Sequence, residues 1–247
     1  MIHRVAATFV GALTLTSCAC LVTHAPGEGQ HPQVLHRRVT RTFDSHYLLF
    51  LPAGFQAHGA QKYPLLIFLH GSGEAGDDLD HVKVQGPPKI VESRPDFPFI
   101  VASPQTPDDS IFDPATLDAM LDELIEHNPV DPDRVYLTGL SLGGEWTYGW
   151  AGLRPDRFAA IAPVSGEWTT AVDCRLKHVP VWAFHGALDD VVPLAGDQAM
   201  VQAINACGGD ARMTVYPDVG HDAWTQAYAT EELYSWLLEH RRYREAH

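Results

Sequence analysis

Basic residues are scarce in this 247-residue chain: 17 Lys and Arg stand against 31 Asp and Glu, for a formal net charge of −14. A basic cluster, Arg241, Arg242 and Arg244, stands at the C-terminus. Such a chain repels phosphate backbones, which argues against a nucleic-acid partner. The terminal arginines read instead as cations complementing the dipole of a last helical turn. Cysteine is sparse as well, four in all, with no CxxC, and the fourteen histidines include no HExxH pair. Neither metal signature is present, so no metal and no cofactor is expected. Also missing are a Pro/Gly/Ser-rich linker in the middle of the chain, an internal repeat, a low-complexity segment and a second long apolar run. One domain is the expectation for this length. Hydrophobic residues at 45% and charged residues at 19% place the chain among ordinary globular proteins and away from disordered ones.

What is present begins with a leader. Met1-Ile2-His3-Arg4 is a short positive start, and Val5 through Leu15 is an apolar run too short to span a bilayer stably. Residues 1–17 therefore read as a signal peptide and the destination as export. The end of the leader, Leu15-Thr16-Ser17-Cys18, resembles the bacterial lipobox, which implies a lipid on Cys18, a membrane contact through it, and a periplasmic or membrane-anchored lipoprotein. Ordinary cleavage near Thr23-His24-Ala25, releasing a secreted protein, is the alternative. Loss of residues 1–17 removes Arg4 as the only charged residue and takes the net charge from −14 to −15. Residues 18–33, rich in Gly, Pro, His and Gln at their end, read as a tether, and residues 34–247 as the folded domain. Cys20 belongs to the tether region. Cys174 and Cys207 belong to the domain, either as a disulfide or as two separate thiols, since sequence separation does not reveal whether their Cα atoms lie within bonding range.

Within the domain, Leu35–Thr42 and His46–Leu51 are strand-like and separated by Phe43-Asp44-Ser45, which suggests an antiparallel hairpin. From Pro64 onward compact apolar runs alternate with helix-like segments. The runs are Leu65–Leu69, Phe99–Ala102, Val135–Leu137, Ala159–Val164, Val181–Phe184 and Arg212–Tyr216. Short runs without polar alternation are how strands buried on both faces look. Pro114–His127 sets Leu117, Met120, Leu121, Leu124 and Ile125 on one face, with Asp113 as N-cap before a proline at N1. Leu142–Leu153, Leu194–Ala206 and Thr230–Arg241 are further helix candidates. The alternation predicts an α/β fold: a mostly parallel sheet with helices on both faces and an antiparallel hairpin at its start.

The chemistry sits at the ends of those runs. Gly139-Leu140-Ser141-Leu142-Gly143 is a G-x-S-x-G between a strand and a helix, the setting in which a nucleophilic serine rides a sharp turn. A hydroxyl needs a general base, and the base needs an acceptor that fixes its tautomer. Asp189, after the strand Val181–Phe184, and His221, after the strand Arg212–Tyr216, follow Ser141 in the order serine, acid, histidine. Asp190 competes with Asp189, but the Asp-x-x-Val-Pro spacing that starts at 189 favours the first. Asp222 reads as a loop or capping residue, and His70 and His185 as supports of strand ends. An oxyanion hole needs two N–H donors. Leu142 supplies one, and the segment His70-Gly71-Ser72-Gly73-Glu74 the other, through Ser72 with Gly71 as the alternative. Glu74 with Asp77 or Asp78 is open to a second interpretation as an acidic catalytic pair, although a loop-fixing role suits these residues better. Trp146, Trp168 and Trp224 either wall a substrate pocket or pack in the core.

The HGSGE segment, Phe97–Gln105, Val130–Gly139, Pro155-Asp156-Arg157-Phe158, the His-Gly-x-x-Asp loop and Gly-His-Asp-Ala-Trp together resemble the exported α/β-hydrolases described as predicted peptidases, feruloyl or acetyl esterases and phospholipase/carboxylesterase-like enzymes. The resemblance runs from about Tyr47 to Leu238. It departs at Leu142, where such proteins usually carry methionine, a change that alters pocket shape but keeps the backbone donor. It implies an α/β-hydrolase fold and a serine hydrolase acting on carboxylic esters, with no cofactor. The short stretch between Ser141 and Asp189 leaves little room for a lid. An open site suits a short acyl group or an aromatic acid, such as acetyl or feruloyl groups on a polysaccharide. Cleavage of short peptides, or a lipid-tethered binding role without catalysis, are the alternatives.

Overall fold

A computed structural model describes residues 40, 42, 45–108 and 110–244. The leader, the suggested lipid site at Cys18, Cys20, the tether and most of Leu35–Thr42 lie outside the described residues. Seven strands form one sheet: β1 (His46–Phe50), β2 (Tyr63–Leu69), β3 (Ile100–Gln105), β4 (Val130–Leu140), β5 (Ala160–Val164), β6 (Val181–Gly186) and β7 (Ala211–Tyr216). Their order across the sheet is β1-β3-β2-β4-β5-β6-β7. All neighbours are parallel except β1, which runs antiparallel to β3 with Leu48 opposite Ser103. The antiparallel start foreseen from the sequence is present in β1, and its described partner is β3; the first arm of the suggested hairpin lies outside the described residues.

Every residue of β2 is buried, because helices cover both faces. Side chains alternate between the faces along a strand: Leu65, Ile67 and Leu69 join one core cluster and Leu66 and Phe68 the other. The first cluster packs under α2 (Pro114–His127), α3 (Leu142–Leu153) and α4 (Leu194–Ala206); the second lies under α5 (Trp224–Ala229) and α6 (Glu231–Glu239), with α1 (Gly86–Val91) at its border. The predicted stripe on α2 is buried through Leu117, Met120, Leu121 and Leu124, and Asp113 caps its N-terminus by accepting from the Thr116 N–H at 3.1 Å. Two short helices, α1 and α5, escaped the sequence pattern. At six residues each they are too short to show a 3.6-residue period, and α1 carries two prolines.

The terminal arginines correct the dipole interpretation. Helix α6 ends at Glu239, and the arginines beyond it reach the start of β4. Arg241 pairs with Asp131 at 3.1 Å, Arg242 with Asp133 at 3.0 Å and Arg244 with Asp133 at 2.7 Å. The backbone N–H of Arg242 adds a bond to the Asp133 carbonyl at 2.9 Å. Acceptors supplied by β4, not a helix terminus, fix these cations.

Cys174 and Cys207 form a disulfide with Cα atoms 5.2 Å apart, joining the turn Thr170–His178 to the end of α4 across 33 residues of sequence. Closing a loop of that size is worth about 3–4 kcal/mol in the chain-entropy model. The double variant Cys174→Ser/Cys207→Ser should therefore lose about 3 kcal/mol in guanidinium unfolding. A loss under about 1 kcal/mol would mean that the crosslink restrains little that the packing of α4 does not already hold.

Candidate active site

The strand order reverses between β2 and β4: the chain steps outward to β3, returns past β2 and then continues to β7. At such a switch point the loops leaving adjacent strands diverge and open a crevice at their carboxyl ends. The loops after β2, β4, β6 and β7 meet there.

Ser141 leaves β4 and opens α3 with φ 52° and ψ −119°. A residue with a side chain pays about 1–3 kcal/mol to sit in such a conformation, so its surroundings must enforce it. Its N–H donates to the Val164 carbonyl at 3.0 Å, and its own carbonyl accepts the first helical bond, from the Glu145 N–H at 2.9 Å. Packing closes the inside of the turn. A Cβ on Gly143 would come within 2.0 Å of the Leu69 carbonyl oxygen, and one on Gly139 within 2.3 Å of the Gly143 carbonyl oxygen. The two motif glycines are thus required by how closely the elbow presses on β2 and on itself.

His221, in the loop after β7, places Nε2 at 2.9 Å from Ser141 Oγ and Nδ1 at 2.8 Å from Asp189 Oδ2. An ionised carboxylate only accepts, so Nδ1 carries the proton and Nε2 is left to accept from the serine hydroxyl. Asp189 is fully buried at its side chain, and its other oxygen accepts from the N–H groups of Val191 at 3.0 Å and Val192 at 2.9 Å. Burial pushes the Asp189 carboxyl up, but the His221 ring and the Val192 and Val191 N–H groups outweigh it and hold the group below the usual aspartate range. Asp190 is exposed. Asp222 accepts from the Thr225 N–H and hydroxyl, both at 3.0 Å, and so caps α5.

Other groups that hold this arrangement carry no local motif. Ser165, buried at φ 47°, donates its hydroxyl to the His221 carbonyl at 2.8 Å. The loops carrying Asp189 and His221 touch at glycine: a Cβ on Gly186 would lie 2.0 Å from the Gly220 carbonyl oxygen.

The loop after β2 is fixed from β3. The Thr106 N–H donates to His70 Nε2 at 3.0 Å, which puts the ring proton on Nδ1, 2.6 Å from the Gly71 carbonyl. The Gln105 amide donates to the carbonyls of Glu74 at 2.8 Å and Asp78 at 2.9 Å. Gly71 spends its own N–H on the Glu74 carboxylate at 2.9 Å, which removes it as a donor to anything else. Ser72 follows as the first residue of a 3₁₀ turn, Ser72–Glu74, and Leu142 is the first residue of α3; N–H groups at these positions have no partner within their own helix. Glu74, Asp77 and Asp78 form no acid pair: Glu74 binds Gly71, Asp78 accepts from the Asp80 N–H, and Asp77 is exposed.

The three tryptophans part company. Trp146 is 9% exposed and belongs to the core, its ring 5.3 Å from that of Trp168. Trp168 packs over Gly149, where a Cβ would meet its ring at 2.9 Å. Trp224 instead stands edge-to-face against His221 at 5.1 Å. It also lines a recess of about 330 Å³ with Gln85, Lys89, Tyr228 and others. Its indole N–H is buried and lacks a hydrogen-bond partner among the described residues.

Residues 105–234, more than half of the chain, match the model of the dienelactone hydrolase family. The chain belongs to the dienelactone hydrolase family. It is similar to the probable feruloyl esterase C of Aspergillus terreus, 25% identical over 201 residues that cover 79% of this chain and 72% of that protein. A crystal structure of a thermostable esterase superposes with a TM-score of 0.68 at 29% identity, covering 79% of this chain and 59% of that one. The esterase PE8 superposes at 0.58 and 25% identity, covering 79% and 98%. The fold is the α/β-hydrolase fold, and this member of the dienelactone hydrolase family is a hydrolase of the esterase type.

His70 yields a pH dependence. Burial lowers its pKa below the usual imidazole range, so the unfolded chain binds the proton more readily, and stability falls as the pH drops below about 6.5. In His70→Gln this contribution is absent, and its melting temperature should fall less steeply than that of the parent between pH 7 and 5. Parallel curves would show that the ring is protonated as easily folded as unfolded.

Proposed function

We propose that this protein is a serine hydrolase of carboxylic esters that works through an acyl-enzyme, with Ser141 as nucleophile, His221 as general base and Asp189 as the group that orients and charge-balances the histidine. The observation that carries this reading is the unbroken hydrogen-bond chain from Ser141 through His221 to Asp189, at 2.9 and 2.8 Å, ending on a serine held in a strained turn. As Ser141 Oγ attacks the ester carbonyl, its proton passes to His221 Nε2, and the imidazolium so formed faces the buried Asp189 carboxylate. The carbonyl oxygen, now an anion, takes N–H bonds from Leu142 and Ser72, a stabilisation commonly worth about 3 kcal/mol per donor. Collapse of the intermediate returns the proton from Nε2 to the departing alkoxide. Water, deprotonated by the same nitrogen, then releases the acid.

For the substrate we propose a short acyl or aromatic acid, with acetyl and feruloyl groups on polysaccharide as the first candidates. The feruloyl esterase relative supports the class. Trp224 supports the shape: its ring stands against His221 and the residue lines the recess, so it offers a flat apolar surface on which an aromatic acid or a sugar ring can stack. Trp146 and Trp168 support the site through packing. We propose export as well, with lipidation at Cys18; the Cys174–Cys207 disulfide suits an oxidising compartment.

Purified protein should hydrolyse p-nitrophenyl acetate and methyl ferulate, and Ser141→Ala should lose at least about 10³-fold in kcat. Retained turnover in that variant, or no turnover in the folded parent, rejects the assignment. Trp224→Leu should raise KM for methyl ferulate several-fold more than for the acetate; equal effects on both would move the acyl group elsewhere.

A further inference from the structure

The hydrogen-bond chain does not stop at Asp189. Behind it lies His185, at the end of β6 and fully buried. Its Nε2 is 2.9 Å from the Val192 carbonyl and 3.2 Å from Asp189 Oδ2. Its Nδ1 is 2.9 Å from Oδ2 of Asp197, a buried residue in the first turn of α4. The other oxygen of Asp197 accepts from the hydroxyl of Tyr148, on α3 and also fully buried.

Chemistry restricts what the ring can be. A carbonyl oxygen has no proton to give, so Nε2 must carry one. Burial pushes the Asp197 carboxyl up, while its hydrogen bonds to His185 and Tyr148 and the charge of the ring pull it back down. It takes the Tyr148 hydroxyl on one oxygen and faces Nδ1 with the other, and in the carboxylate form that these partners favour it demands a proton on Nδ1 too. A ring between two acceptors is an imidazolium. Its position matters because Val192 is shared: the Val192 N–H holds Asp189, and the Val192 carbonyl is held by His185. His185 thus ties the loop 189–192 back on itself, and its charge lies against a carboxylate that is otherwise compensated only by neutral N–H groups.

We propose that His185, backed by Asp197 and Tyr148, is a positioning residue of the site, a buried imidazolium that closes the Asp189 loop through Val192 and offsets the Asp189 charge so that His221 stays free to act as a base. The ionisable groups around this pair are Asp189 on its own loop, Asp197 on α4, Tyr148 and Glu145 on α3, Glu167 after β5, and His221 after β7. Of these the anions next to the ring are Asp189 and Asp197. In line with the geometry, the two hydrogen bonds and both carboxylates overcome the cost of burial and hold His185 above the ordinary imidazole range. The kinetic consequence rests on the esterase reading; the protonation state does not.

Two measurements test this. In ¹⁵N-labelled protein, with His185→Gln used to assign the signals, the His185 ring should show both N–H groups and imidazolium shifts at pH 7, whether or not any ester is turned over. A ring with one N–H and neutral shifts overturns the proposal and leaves the esterase reading untouched. In the kinetic arm, His185→Gln can still donate a hydrogen bond but has no charge. Without the cation the Asp189 anion favours protonated His221 more strongly. The acid limb of kcat/KM should then move up by about one pH unit, a roughly tenfold loss on the acid side, with a much smaller change on the plateau. A uniform loss at every pH, with the limb in place, would mean that His185 only props the loop, and would reject its electrostatic part. If His185→Gln does not fold, Tyr148→Phe, which withdraws one bond from Asp197, should move the limb in the same direction by a smaller amount; an unmoved limb in a folded Tyr148→Phe counts against the proposal.

Discussion

The elbow rests on β2 so tightly that a methyl group at Gly143 would penetrate the Leu69 carbonyl oxygen. That contact governs much of what surrounds it. It presses the first turn of α3 onto the end of the central strand, leaves Ser141 no alternative to its positive φ, and sets the Leu142 N–H at the open end of the helix. The same closeness recurs between the next loops, where Gly186 abuts Gly220 and Gly166 abuts Gly144. Three pairs of strand ends are held at distances that only side-chain-free backbone permits. The catalytic proposal depends on hydrogen bonds shorter than 3 Å, and those distances follow from the backbone approach.

The polar groups beneath the site obey a second constraint. Tyr148, Asp197, His185 and Asp189 lie in a region where an unpaired charge would be costly, and each finds a partner of suitable kind. Buried networks of this type gain when every member is satisfied and lose heavily when one is not. The arrangement draws on α3, α4, β6 and the loop after it. It therefore couples the helices on one face of the sheet to the orientation of His221.

The parts of the site legible in the sequence were those written locally. G-x-S-x-G, Asp-x-x-Val-Pro and Gly-His-Asp-Ala-Trp each sit just after an apolar run, and strand ends converge in a parallel sheet. The α2 stripe and its Asp113 cap were equally plain, because helical period and cap lie within one short segment. Ser165, Gln105, Thr106 and Asp197 were illegible for the opposite reason. A serine after a strand or an aspartate inside a helix has no distinctive neighbours, and its role arises only when a partner between 12 and 56 positions away arrives. The terminal arginines misled because a helix end explains cations locally, while their true acceptors, Asp131 and Asp133, lie about 110 residues earlier in the chain. Trp146, Trp168 and Trp224 could be separated only by knowing which face each one meets.

Strand β5 ends at Val164, and Val164 with the following Ser165 touches three neighbours at once. The Val164 carbonyl receives the Ser141 N–H, the Ser165 N–H reaches the Phe184 carbonyl, and the Ser165 hydroxyl reaches the His221 carbonyl. Ser141 and His221 are thus bolted to one bracket. A thermal displacement of that bracket carries both residues in the same direction, so their separation varies less than the position of either one. The mount filters out relative vibration, as a common optical bench keeps two lenses aligned while the table shakes.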